Sequence, residues 1–313
     1  MTQIFQIPNP QIFDTTVLSP DGQFVLVYGP DRPAVLYRTT DSQSEKELQA
    51  LTLPKELLVT AAAFNRGNYQ QDFKTRKCAL IAESTLVVLD LTNLQISSSN
   101  PLRNTMLVTY GLDNTIFVGT TDGAIIMLVE QNGELLTVGR PLKISEYGII
   151  HFAASPRQAD YVAVYTDDGK LYSVQAGTGH FSPVDTAEEL SGYFGSMAFH
   201  PYLSMFTLWK TSGEVSISTP PSQVLHINLP EEYTEQQLLS VQSISENLLL
   251  VTTTLSVTEI KFKAKSGSSE AILERQRVIY EAAEPNRIVA VAQLSRSPAA
   301  DCVVITTVPA AWT

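Results

Sequence analysis

The sequence predicts an all-β chain folded as one seven-bladed β-propeller, and three observations carry that prediction. An apolar strand ending in a turn recurs seven times along the chain, at a spacing of about 45 residues, which is the length of one propeller blade. Tight Asp-Gly or Ser-Gly turns separate short runs rich in Val, Ile, Tyr, Phe and Thr, the residues that suit a pleated, half-buried surface. Helical periodicity is nearly absent.

The recurring marks run in order along the chain. They are TTVLSPDG (15–22), TAAAFNRG (60–67), LVTYGLDN (107–114), IHFAASPR (150–157), SMAFHPYL (196–203), LLSVQSISEN (238–247) and VAVAQLSRSP (289–298). They divide the chain into blades at approximately 11–55, 56–101, 102–143, 144–189, 190–234, 235–280 and 281–313, the last completed by residues 2–7. The fourth blade shows the internal pattern: IIHFAAS, a turn, YVAVYT, then Asp167-Asp168-Gly169, then KLYSVQA. The same hairpin turn recurs as Asp122-Gly123 after FVGTT and as Ser212-Gly213 after MFTLWKT, with glycine accepting positive φ at no steric cost.

EEYTEQQLLS (231–240) reads as a short helix between blades. SSEAILERQRVIYEAAE (268–284) reads as a hairpin plus a return strand, RVIYEA, because the phase of the repeat demands a strand there. KFKAK (261–265) reads as an edge strand whose lysines discourage further pairing. Trp209, in a central strand, belongs to the core. The final blade stops after VAVAQLS and CVVITTV, so TQIFQI (2–7) is expected to fill one of its empty places. At least one strand is still missing. Either that blade has three strands or the chain is the N-terminal domain of a longer protein, and the second is the expectation.

Several phrases resemble the WD40 family. VLSPDG (17–22), AASPR (153–157) and MAFHP (197–201) look like the end of that family's innermost strand. VVLDLTN (87–93) is similar to its Val-Trp-Asp-Leu phrase, with Leu89 in place of Trp and Asp90 retained. No Gly-His pair opens a unit and no Trp-Asp pair closes one, so the family's His–Ser/Thr–Trp relay is not expected here. The resemblance implies a WD-repeat propeller acting as a binding platform. A fainter likeness, through AAAFNRGNY (61–69), LVVLDL (86–91) and MAFHPYLSMF (197–206), is to the N-terminal propellers of small-subunit processome subunits. It implies a nucleolar scaffold in ribosome biogenesis.

Composition narrows the partners. Of 313 residues 44% are hydrophobic and 17% charged, below the usual share of about a quarter, which excludes global disorder and hints at partner-covered surface. A net charge of −11 gives no general footprint for nucleic acid or anionic lipid. Cys78 and Cys302 each sit in an apolar strand and read as buried thiols. No basic and apolar leader opens the sequence and no apolar run is long enough to span a bilayer, so the expectation is an intracellular protein, nuclear or nucleolar, without membrane insertion.

Chemistry is sparse. His151, His180, His200 and His226 fall in different units without metal-ligand spacing, so no metal site is expected. GTG (177–179) and SGS (266–268) lie in hairpin loops rather than before a helix, which a phosphate cradle requires. No catalytic or cofactor-binding residue is assigned, and the expectation is that the chain is not an enzyme.

The candidate partner-binding residues are Asp167, Asp168, Glu188, Glu189, Tyr193, Phe194, Glu231, Glu232 and Tyr233, in turns and inter-blade connections. They form part of an acidic face expected at the second-to-third-strand turns, suited to a basic peptide. Arg66, Lys74, Arg76 and Lys77, in and beside the enlarged DFKTRKC loop (72–78), are candidate contacts to an anionic partner, including peripheral RNA. The plainer alternatives are a solvated surface that maintains solubility and, for the aromatics, local packing.

The function expected is a non-catalytic protein–protein interaction scaffold in a multisubunit complex, with ribosome biogenesis as the specific assembly. A vesicle-coat or nuclear-pore scaffold is one alternative. An enzyme or small-ligand binder using the central channel is the other.

Overall fold

The computed structural model describes residues 2–8, 14–41, 46–65, 74–155, 158–184, 194–199, 206–219, 223–293 and 302–308. Strand β1 (Thr2–Gln6) opens the chain. The first sheet follows as β2 (Thr15–Leu18), β3 (Phe24–Gly29), β4 (Arg32–Asp41) and β5 (Lys46–Leu51). The second is β6 (Val59–Phe64), β7 (Lys77–Ala82), β8 (Thr85–Asp90) and β9 (Gln95–Pro101). The third is β10 (Thr105–Tyr110), β11 (Ile116–Thr120), β12 (Ala124–Gln131) and β13 (Glu134–Thr137), with β14 (Leu142–Lys143) also paired to β12. The fourth is β15 (Ile149–Ala154), β16 (Tyr161–Thr166), β17 (Leu171–Gln175) and β18 (His180–Pro183).

The fifth sheet is β19 (Phe194–Phe199), β20 (Phe206–Lys210), β21 (Glu214–Thr219) and β22 (Gln223–Asn228), followed by helix α1 (Glu231–Glu235). The sixth is β23 (Leu238–Ser245), β24 (Leu248–Thr253), β25 (Ser256–Ala264) and β26 (Ala271–Glu281). The seventh joins β27 (Arg287–Gln293) and β28 (Cys302–Thr307) to β1. In each of the first six sheets the four main strands lie side by side in chain order, so each is an antiparallel meander of the propeller-blade type, with β14 off this path. The fold class is a seven-bladed β-propeller.

The last blade closes with the N-terminal strand, as the sequence predicts, but in an unusual sense. β1 runs parallel to β28, with Ile4 opposite Val304 and Phe5 opposite Ile305. The Ile7 N–H extends the ladder to the Thr306 carbonyl at 2.9 Å.

The strands group into two compact units, residues Gln11–Leu190 with the first four sheets and Met1–Pro10 with Ser191–Thr313 for the other three. In the first unit the sheets pack face to face through aliphatic layers. Leu26, Leu36, Leu80 and Leu89 join the first two, Ala79, Ile81, Val118 and Leu128 the next pair, and Phe117, Val162 and Val164 the third and fourth. Middle strands such as FVLVYG and YVAVYT are buried on both faces, which is why they read as continuous apolar runs rather than alternating ones. In the second unit β24 shows the two-sided logic. Leu249 and Val251 face the fifth sheet, while Leu248 and Leu250 face the seventh.

Trp209 is core, as expected, and Cys78 and Cys302 are free and buried. Burial pushes both thiols above the ordinary cysteine range.

The Gly turns share one geometry. The N–H of Gly22, Gly123, Gly169 and Gly213 donates to the carbonyl three residues earlier, on Ser19, Thr120, Thr166 and Lys210, at 2.8, 3.2, 2.9 and 3.0 Å. All four glycines have φ between +70° and +86°, the left-handed region that penalises a side chain. Helix α1 starts where the sequence places it but ends at Glu235, the rest of the predicted segment entering β23 at Leu238, and β26 contains the predicted return strand but begins earlier, at Ala271.

One strand reading is corrected. KFKAK lies on an edge only in part: β25 is an internal strand, paired with β24 up to Lys261 and with β26 as far as Ala264, so Lys263 and Ala264 run beyond β24. Its lysines protrude from a sheet face because Ile260 and Phe262 take the opposite, buried face.

Candidate functional site

Asp167 and Asp168 occupy the β16–β17 turn, where Asp168 serves the turn itself. Its Oδ1 accepts a 2.6 Å hydrogen bond from the Thr166 hydroxyl, and Lys170 pairs with it at 3.0 Å. Partial burial opposes its charge, but the Thr166 and Lys170 hydrogen bonds outweigh that and hold the carboxyl below the usual range. Asp122 is lowered in the same way, chiefly by the Thr120 hydroxyl. Asp167 is solvent-exposed.

Glu231 and Glu232 are exposed in the first turn of α1. Tyr233 is a correction to the surface reading. Its ring is 3% exposed within the core of the fifth and sixth sheets, and its hydroxyl donates to Gln276 Oε1 at 3.0 Å. Burial raises its pKa. Phe194 is also displaced from the predicted connection, since it opens β19 opposite Lys210. Glu188, Glu189, Tyr193 and Arg66 lie outside the described residues.

The basic group divides similarly. Lys74 and Arg76 are exposed. Lys77 forms an ion pair with Glu130 of β12, and the Glu130 carboxylate is largely buried. Burial opposes ionisation of Glu130, but Lys77 together with Ser97 and Ser98 lowers its pKa. Lys77 therefore ties the second sheet to the third rather than offering a free cation.

The residue that positions this segment was not singled out in the sequence. Asn65 is buried at the end of β6, and its Oδ1 accepts from the N–H groups of Arg76 and Lys77 at 2.9 and 2.8 Å. Its Nδ2 donates to Asn114 Oδ1 at 2.8 Å. The only local signal was an Asn at a turn mark, and its partners lie 11, 12 and 49 residues away.

Among the described residues both sets of loops carry both signs of charge, so the acidic face expected at the second-to-third-strand turns is not set apart. The second-to-third-strand turns and inter-sheet connections carry exposed Lys55, Arg103, Arg140, Lys143 and Lys170 among the carboxylates. The first-to-second and third-to-fourth-strand loops carry Asp21, Asp113, Asp160, Glu246 and Glu270 beside Lys74, Arg76 and Lys265. The signs interleave because local pairs such as Lys143–Glu146 and Lys170–Asp168 form within a turn.

An open groove of about 430 Å³ lies in the second unit, lined by Leu225, Ser245, Glu246, Asn247, Phe262 and Ala264. Its lining offers a single carboxylate, Glu246, beside three apolar side chains, Leu225, Phe262 and Ala264. Among the described residues no group of three His, Cys, Asp or Glu side chains is placed to hold a metal. No helix among them is long and apolar enough to cross a membrane.

Comparison of the sequence with models of known protein families finds no match, and comparison with curated proteins finds none either.

Proposed function

We propose that the chain is a non-catalytic scaffold that binds other protein subunits within a multisubunit complex. One observation carries the reading. Ile4, Leu136, Phe181, Ile272 and Val278 are exposed large apolar side chains on the outermost strands of their sheets. Uncovered outer strands are normally protected by charge, and apolar side chains there favour association. The propeller fold adds support by analogy, since it commonly carries protein-interaction surfaces.

The specific assembly proposed is a ribosome-biogenesis particle in the nucleus, a reading that rests on the processome-like phrases of the sequence. The test is affinity purification of the tagged protein from its own cells, with and without nuclease, read by mass spectrometry. A fixed set of co-purifying subunits supports the scaffold, and loss of that set with nuclease supports the pre-ribosomal assignment. Recovery of the protein alone defeats the proposal.

A further inference from the structure

Among the described residues β25 and β26 form the longest ladder, and the two faces of this hairpin differ. On β25, Ile260 and Phe262 pack toward the fifth sheet while Val257 packs toward the seventh. Strand alternation therefore sets Glu259, Lys261 and Lys263 on the seventh-sheet side. Register with β26 places Arg277 opposite Glu259, Arg275 opposite Lys261 and Ile272 opposite Lys263.

This face carries four cations against two carboxylates in a chain of net charge −11. The carboxylates are taken: Glu259 pairs with Arg277 at 3.0 Å and Glu274 with Lys261 at 3.3 Å. Lys263 and Arg275 are exposed and have no carboxylate partner among the described residues.

Among the described residues the seventh sheet does not extend over this face. It has three strands among the described residues, where every other sheet has at least four. Its cover ends at β1, whose Ile4 shares a face with Val304 and is 39% exposed. Farther out, Ile272 is 57% exposed.

We infer that this face binds an acidic, extended segment of a partner protein, laid where a fourth strand of the seventh blade would run. Lys261 and Lys263 repeat at about 7 Å along the strand, the spacing of alternate side chains in an extended peptide. Carboxylates at alternate positions of such a peptide meet the cations, and an apolar residue beside them covers Ile272. A polynucleotide fits less well. The exposed large apolar side chains of the hairpin are aliphatic, whereas single-strand sites combine basic grooves with aromatic stacking platforms.

The inference rests on the scaffold reading and names one of its surfaces. Its test uses the purified chain and a fluorescein-labelled peptide of about five Glu-Val repeats, matched to the hairpin's length, read by fluorescence anisotropy at low salt. The same measurement is made with a Lys-Val peptide and with an oligouridylate. The expected result is binding of the acidic peptide alone, weakened roughly tenfold by the Lys263→Glu/Arg275→Glu double variant and less by Lys263→Gln/Arg275→Gln. Binding should also fall at about 0.3 M salt. Both variants change exposed side chains, and circular dichroism checks that their strand content is unaltered. Absence of binding, binding indifferent to both variants, or tighter binding of the oligouridylate overturns the inference. Because no cellular partner enters the assay, its failure leaves the purified partner set standing, while loss of that set leaves a positive peptide result intact.

Discussion

Replacing Asn65 by Ala removes the acceptor that holds the start of β7. Two backbone N–H groups, of Arg76 and Lys77, lose their hydrogen bonds to Oδ1, and Asn114 loses the bond from Nδ2. Asn65 is buried, so water does not freely replace the lost acceptor. At about 1 kcal/mol for each of three bonds the cost is about 3 kcal/mol. Asn65→Asp keeps both backbone bonds and loses only the amide donor, and a rotated Asn114 amide can restore that contact, so its cost is about 1 kcal/mol or less. Urea denaturation reads both as shifts in midpoint at unchanged slope. A loss below about 1 kcal/mol for Asn65→Ala, or equal losses for the two variants, refutes the assignment of Asn65 as the anchor of the basic segment.

Three further outcomes follow from the packing. Lys77→Met strands the Glu130 carboxylate and costs about 2 kcal/mol at neutral pH, between the values for exposed and fully buried pairs. Because the folded-state pKa of Glu130 is lowered, its contribution is complete above the unfolded value and is lost as pH falls through the folded one. The difference between wild type and variant in acid titrations therefore narrows below about pH 4.

Gly123→Ala sets a Cβ 2.3 Å from the Ser145 and Tyr147 carbonyl oxygens at φ +81°, whereas Gly139, at φ +73°, has nothing within 4 Å. Thermal melts should show a large loss for the first and about 1 kcal/mol, from backbone strain alone, for the second. Tyr233→Phe loses the Gln276 bond at about 1 kcal/mol, and Tyr233→Ala empties a core site at about 3–5 kcal/mol, both read by chemical denaturation.

The blades were legible because their signals are local. A turn that needs positive φ selects glycine, and Gly22, Gly123, Gly169 and Gly213 mark it directly in the sequence. The C-terminal part of β26 was legible from phase, since a return strand had to follow the hairpin, but its start at Ala271 was not. What escaped depends on residues distant in the chain. The parallel pairing of β1 joins Thr2 to Cys302, and no local pattern distinguishes it from an antiparallel closure.

Tyr233 looked like a surface aromatic because it follows two exposed glutamates, but its hydroxyl partner is 43 residues away. KFKAK looked like a protected edge because its lysines alternate with apolar residues. The same alternation describes an internal strand with one face uncovered, and only the position of β26 decides between them. The candidate site was legible to a lesser degree. Exposed Asp167, Glu231 and Glu232 stand where the turns and helix put them, but Lys77 and Asp168 are committed to pairs that charge counting does not reveal.

The central claim, a scaffold that works inside an assembly, is tested most directly by sedimenting extract of the protein's own cells through a glycerol gradient and locating the chain in the fractions. The account predicts that the bulk of the protein migrates far ahead of a single chain and co-migrates with a constant set of partners. Migration of nearly all of it as a free single chain would contradict the account.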